Sequence, residues 1–315
     1  MPPRDADEYP LRFRPPWLEL DSEPYNRAEM MARFPVTLLS RRVLASRSAS
    51  NLSSSSSNEL LLREDDESTG VTSLRLNNPA KYNVLSMKML DRLGEELDSI
   101  SKDDSVRVIT LEAAGERAFC AGHDLEEIYK QTKEETAELF KKCSDVMMTL
   151  RKIRQPSIAR VQGIATAAGC QLVLSCDLAL CSTDAQFGMS GINVGAFCST
   201  PAVALSQSGV PPKQALQMLL TGDLVCAETA LSYGIVGKVF DAELLEQETL
   251  NLARKIAVNS PYSVQLGKQL YYQLDASSTL EEAYALATDK MVCNLQHIDA
   301  KKGIHSFVTK RGVKR

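Results

Sequence analysis

The chain has 315 residues, 44% of them apolar, which is enough to build one large domain or two small ones. A formal net charge of −4 gives no basic field for nucleic acid, and no apolar run reaches the roughly 18 residues of a membrane span. The eight cysteines form no CxxC pair and no His/Cys cluster, so reduced, mostly buried thiols are expected rather than a zinc site.

Residues 1–29 carry six prolines and seven acids without apolar periodicity, a composition too poor in buriable surface to offset its ordering entropy. From Met30 to Asn58 the character reverses to four arginines, nine serines and no acid. Phe34, Leu38, Leu39 and Val43 share a helical face, with Arg33, Arg41 and Arg42 toward the other. That pattern reads as a mitochondrial presequence and directs the protein to the matrix; a Ser-rich linker is the alternative. Acidic residues precede the stretch, and a start at Met30 or Met31 removes the conflict. Residues 1–59 are therefore assigned to a disordered extension and presequence.

The folded part begins near Leu60. Val71–Leu76 alternates as a half-buried strand, and Asn77-Asn78-Pro79 ends it. Ser86 caps a helix carrying Leu90, Leu93, Leu97 and Ile100 at helical spacing. Val106–Leu111 is the next strand. A long helix runs from Thr132 to Arg151 with Phe140, Cys143, Met147 and Leu150 on one stripe, and Pro156 marks its end. Ser157–Val161 is a short strand. After Phe187 the pattern predicts short helices at 201–206, 212–220, 227–232 and 242–257. A last helix near Leu280–Leu295 precedes a basic tail from Lys301 to Arg315.

Between these lies the stretch that organises the chain, residues 161–200. Gly163, Ala165, Ala167, Ala168 and Gly169 crowd its start, leaving room for a ligand or for another backbone. A helix beginning near Ala168 points unpaired amides outward, ready for an anion or a developing oxyanion. Close packing of helix on strand is the other reading. A second such place is Ala118–Ile128, AFCAGHDLEEI, where a strand ends, Ala121-Gly122 turns, and Asp124 caps the next helix. Two turns of this kind place one amide apiece at a common point if they meet, and such a pair polarises a thioester carbonyl.

The segments AFCAGHDL and GIATAAGCQLVLSCDLALCSTDAQFG closely resemble the enoyl-CoA hydratase/isomerase (crotonase) family. NPAKYNVLS before them and LTGDLVCAETALSYGIVGKV after them extend the likeness over about Val71 to Arg311. The resemblance implies an α/β crotonase (ClpP/crotonase-like) spiral of ββα units over residues 60–265. Residues 266–315 would be a helical trimerisation region giving a homotrimer or a dimer of trimers. It implies an acyl-CoA thioester as ligand, with CoA part of that ligand and no separate cofactor or metal. The oxyanion hole would fall on the backbone N–H groups of Ala121 and Ala168. Lys81, Ala121, Gly122, His123, Asp124, Ala168 and Gly169 would border the ligand. Phe307 and Lys310 would reach a neighbour's nucleotide.

Two departures bear on the chemistry. Hydratases of this family hold and activate water with two glutamates; the matching positions here are Gln171 and Gly191. Neither has a titratable proton at neutral pH, and general acid/base catalysis contributes typically about 10²–10⁴-fold. His123 is a tentative catalytic group or a helix-start histidine. Asp124 is a base or an N-cap. Cys198 is a nucleophile or a packed thiol, and Cys170 is expected in the core behind Gln171. The chain thus reads as a mitochondrial acyl-CoA binder of lipid metabolism without ordinary hydratase activity. The alternative is an acyl-CoA lyase, isomerase or hydrolase with a non-standard acid/base.

Overall fold

Leu61–Asp66 (β1) and Val71–Leu76 (β2) form an antiparallel hairpin, with Leu61 opposite Leu76 and Asp66 opposite Val71. They open a computed structural model that describes residues 59–274 and 279–312. The presequence and its flanks therefore lie outside the described residues.

Val108–Ala113 (β3), Ser157–Val161 (β5), Leu178–Ser182 (β7) and Lys238–Phe240 (β10) extend the hairpin in parallel, in the order β1-β2-β3-β5-β7-β10. Each of three central strands is followed by a three-residue strand in a second sheet. These are Ala118–Cys120 (β4) after β3, Ile164–Thr166 (β6) after β5 and Gln186–Gly188 (β8) after β7. With Leu224–Cys226 (β9) they form the sheet β4-β6-β8-β9, parallel except for its last pair. Repeating this step winds the chain as a spiral of ββα units, as expected.

Helix Met87–Lys102 (α1) starts where Ser86 accepts the Met89 N–H, and its Leu90, Leu93, Leu97 and Ile100 are buried at i, i+3 and i+4 spacing. Asp124 caps the short Leu125–Lys130 (α2). Lys133–Lys152 (α3) begins with a capping box between Thr132 and Glu135. The buried stripe of α3 is Leu139, Cys143, Val146, Met147 and Leu150; Phe140 is one position off it and packs edge-to-face on His123, with ring centres 4.9 Å apart. Ala168–Ser175 (α4) is buried along its whole length. Ser199–Ser206 (α5), Pro212–Thr221 (α6), Ala227–Tyr233 (α7) and Ala242–Ala257 (α8) follow, and α8 covers the outer face of the large sheet through Leu245, Ala253 and Ala257.

Pro261–Leu274 (α9), Leu280–Gln296 (α10) and Ile298–Gly312 (α11) complete the chain. The segment read as a basic tail is thus mostly helix, and the boundary drawn at 265/266 falls within α9. Lys268 anchors α9: its ammonium donates to the carbonyls of Leu150 and Gln155 and to the Asp177 carboxylate, at 2.7, 2.9 and 2.7 Å. Tyr272 donates to the other Asp177 oxygen at 2.9 Å. Of the eight cysteines, six are buried, while Cys226 and Cys293 are exposed.

Candidate functional site

Strands β4 and β6 are parallel neighbours, with Ala118 opposite Ile164 and Cys120 opposite Ala165, so both run into helices at the same edge. Parallel strands leave their ligand crevice at that carboxyl end. Gly122 makes the first turn at φ +93°, and a Cβ built on it would lie 3.1 Å from Ala167 Cβ and 3.4 Å from Ala168 N. The two turns picked out in the sequence therefore meet.

Gly169 serves that meeting by close approach. A Cβ there would stand 2.0 Å from the Cys120 carbonyl oxygen, so α4 rests directly on β4. Its role is packing. Ala167, just before α4, has φ 51° and ψ −121°, an unfavourable conformation for a residue with a Cβ. Its N–H is held by the Gly188 carbonyl at 2.9 Å, and the strain sits where the chain turns to present the Ala168 N–H.

One expected donor is not available. The Ala121 N–H is given to the Tyr82 carbonyl at 3.0 Å, so it does not open into the crevice. Two residues on, the His123 N–H has no acceptor among the described residues, and neither has the Ala168 N–H. The peptide reverses its facing through Gly122, whose carbonyl accepts from Leu85 N–H at 2.7 Å. The pair of amides placed to receive an oxyanion is His123 and Ala168.

The His123 ring is fixed behind its own amide. Its Nδ1 lies 3.0 Å from the Leu85 carbonyl, which only accepts, so Nδ1 carries the proton and Nε2 keeps the lone pair. Nε2 is buried without a partner among the described residues. Burial lowers the imidazole pKa, outweighing the Leu85 hydrogen bond, and holds the ring neutral.

Asp124 acts as the N-cap. Its carboxylate accepts from the Glu126 and Glu127 N–H groups, and from Lys81 Nζ at 2.8 Å. Burial pushes its pKa up, but the Lys81 ammonium and the two amides outweigh it and the net shift is downward. Lys81 also reaches Glu126 at 3.4 Å, so its ammonium borders the crevice already paired.

Gln171 lies one helical turn after Ala168 and is 4% exposed; its Oε1 is buried with no partner. Gly191, in the 3-10 turn Ser190–Val194, has no space for a side chain. A Cβ there would lie 2.6 Å from the Ala196 carbonyl oxygen and 2.8 Å from Cys198 Sγ. Cys198 is the N-cap residue of α5 and is 7% exposed. Burial pushes its thiol pKa up, opposed by the Gly191 amide. Cys170 is fully buried in the core, its thiol pushed up to about 12. Thr166 donates to Ser190 Oγ at 2.8 Å and ties the end of β6 to the 3-10 turn. Tyr82 and Asn83 lie within NPAKYNVLS, but nothing in that segment marks the Tyr82 carbonyl as the acceptor that engages Ala121.

Phe307 is exposed on α11, and Lys310 lies within the same helix with its side chain outside the described residues. His297 caps the end of α10 and stacks on Tyr262, away from these turns. Among the described residues no group of three or more His, Cys, Asp or Glu side chains is arranged to hold a metal, and no helix is long and apolar enough to cross a membrane.

Residues 66–314 match the family model described as enoyl-CoA hydratase/isomerase. A stretch of 257 residues is 42% identical to the Mus musculus protein named enoyl-CoA hydratase domain-containing protein 3, mitochondrial, covering 81% of this chain and 85% of that one. The crystal structure of human enoyl Coenzyme A hydratase domain-containing protein 3 is similar at TM-score 0.77 and 42% identity, over 80% of this chain and 98% of that one. A Mycobacterium smegmatis structure titled enoyl-CoA hydratase is similar at TM-score 0.77 and 45% identity, over 80% and 97%.

Proposed function

Because this chain belongs to the enoyl-CoA hydratase/isomerase family, we propose that it is a mitochondrial acyl-CoA-binding protein of lipid metabolism that polarises the thioester without ordinary hydratase activity. The His123 and Ala168 amides receive the thioester oxygen. CoA is part of the ligand, and no further cofactor takes part.

One observation carries the reading: at the two positions where the family's hydratases hold water stand an amide and a glycine. At Gly191 the space for a side chain is also gone, taken by the Ala196 carbonyl and the Cys198 thiol. A carboxylate cannot be supplied there without moving the turn.

The mitochondrial names of the relatives support the address, together with the acid-free Arg/Ser stretch. A homotrimer or a pair of trimers is supported by the apolar side chains that α9 to α11 leave exposed, among them Tyr271, Tyr284, Met291 and Phe307. The second reading, an active lyase, isomerase or hydrolase, rests on the neutral His123 Nε2, which keeps its lone pair and has no partner among the described residues.

Direct binding of a panel of acyl- and enoyl-CoAs, set beside turnover of the same panel, tests the choice. Binding without turnover is expected. Turnover that disappears in His123→Gln supports the second reading instead.

A further inference from the structure

The space where Gly191 lacks a side chain is not empty. Cys198 Sγ stands 2.8 Å from the point a Cβ would occupy. The residue is the N-cap of α5, and α5 packs against α4, the helix that begins with the Ala168 amide. Cys198 adds to the upward push on the Cys170 thiol of α4, which burial dominates.

A second group, on the helix that α5 packs against, asks for a ligand. Gln171 is three residues beyond Ala168 on α4, so the two share a helix face. Its Oε1 is buried without a partner among the described residues, and such an acceptor destabilises the fold until a donor reaches it. Thr200 Oγ1, two residues after Cys198, is likewise buried and unpaired. The thiol thus stands where α5 starts against α4, beside the Gly191 turn, with a buried polar atom on each helix left without a partner among the described residues.

We propose that Cys198 is a nucleophilic thiol that adds to C3 of an α,β-unsaturated acyl-CoA bound at the His123 and Ala168 amides. This inference rests on the acyl-CoA-binding reading above. The Sγ–C3 bond forms and the C2=C3 electron pair moves toward the thioester oxygen, held as an enolate by the His123 and Ala168 N–H groups. The thiol proton ends on C2. The product is a 3-(cysteinyl)acyl-CoA with its CoA thioester intact, so no oxidant, reductant or leaving group is required. Where the side chain of residue 191 would stand, a sulfur nucleophile stands instead. Burial keeps it largely as the neutral thiol, so addition should quicken as pH rises toward the thiol's range.

The test is intact-mass analysis of the full 315-residue chain after incubation with crotonyl-CoA, followed by peptide mapping. The expected result is a gain of one whole crotonyl-CoA per chain, mapped to Cys198. It is retained when the exposed Cys226 and Cys293 are changed to serine, and lost in Cys198→Ser. Mapping on the unaltered chain keeps the test independent of whether that last variant folds. Saturated butyryl-CoA should bind, form no adduct and slow the reaction. Adducts confined to Cys226 and Cys293, or no adduct while butyryl-CoA binds, overturn the inference alone. A gain of the butenoyl group without CoA means acyl transfer and also overturns it. Failure of butyryl-CoA to bind overturns the acyl-CoA reading itself.

Discussion

Gly169→Ala separates close packing from chance composition in the Gly/Ala cluster. The added Cβ would meet the Cys120 carbonyl oxygen at 2.0 Å, its carbon at 2.7 Å and its Cβ at 2.9 Å. Two of these are backbone atoms of β4, and Cys120 is wholly buried, so no flexible side-chain end can yield. Overpacking costs typically about 1–3 kcal/mol, and a backbone clash belongs at the top of that range. Alanine recovers at most about 1 kcal/mol of helix propensity. The net loss is therefore about 2 kcal/mol, or about 4–8 °C in Tm for a domain of this size. Separating α4 from β4 also draws the Ala168 N–H away from the His123 N–H, so butyryl-CoA should bind at least about tenfold more weakly, a change of about 1.4 kcal/mol. Gly267→Ala is the control: it lies in α9 with nothing within 4 Å of the added Cβ, and it should stabilise by up to about 1 kcal/mol. Thermal unfolding and titration calorimetry read both effects. Unchanged Tm and binding in Gly169→Ala would refute the packing described for α4 and β4.

Ala167→Gly should raise Tm, because it releases the positive-φ strain of about 1–3 kcal/mol at little loss elsewhere. Lys268→Met should lower stability by about 3 kcal/mol in denaturant unfolding, since it leaves the largely buried Asp177 carboxylate beside Ser157 and Tyr272 without its cation. Asn83→Ala should destabilise by about 2–4 kcal/mol, as it strips partners from the Asn78 N–H and from the Ala114 and Ala118 carbonyls together. The His123 pKa is depressed in the fold, so its contribution to stability is full above the unfolded value near 6.5 and is lost as pH falls through the folded value. Unfolding midpoints measured downward from pH 7 should therefore fall less steeply in His123→Gln than in the parent.

Much of this architecture is legible because local chemistry announces it. Ser86, Asp124 and Thr132 each stand where a helix needs a side-chain acceptor, and each accepts the expected N–H groups. The strands Val71–Leu76 and Ser157–Val161 carry enough apolar residues to declare themselves. Strands β6, β8 and β9 do not: three residues give no period, and what holds them is pairing with distant partners. Helix α9 mixes Gln, Lys, Tyr and Gly with no buried residue, so its stripe is faint, and its anchor Lys268 finds its partners far away in sequence. At the site, the sequence marks both turns but not which amide each presents. Amides two residues apart face the same way in an extended chain, so the choice between Ala121 and His123 is made by the Tyr82 carbonyl and by the positive φ of Gly122. No motif records that Cys198 Sγ fills the space beside Gly191, because that closeness is made by the 3-10 turn.

Hydration of crotonyl-CoA by the full chain tests the central claim most directly, with saturation by the same ligand established by calorimetry in the same buffer. The account predicts a saturable complex and formation of 3-hydroxybutyryl-CoA indistinguishable from the uncatalysed background. Brisk hydration at saturation would contradict it, because Gln171 and Gly191 would then not be the positions that decide whether water is activated.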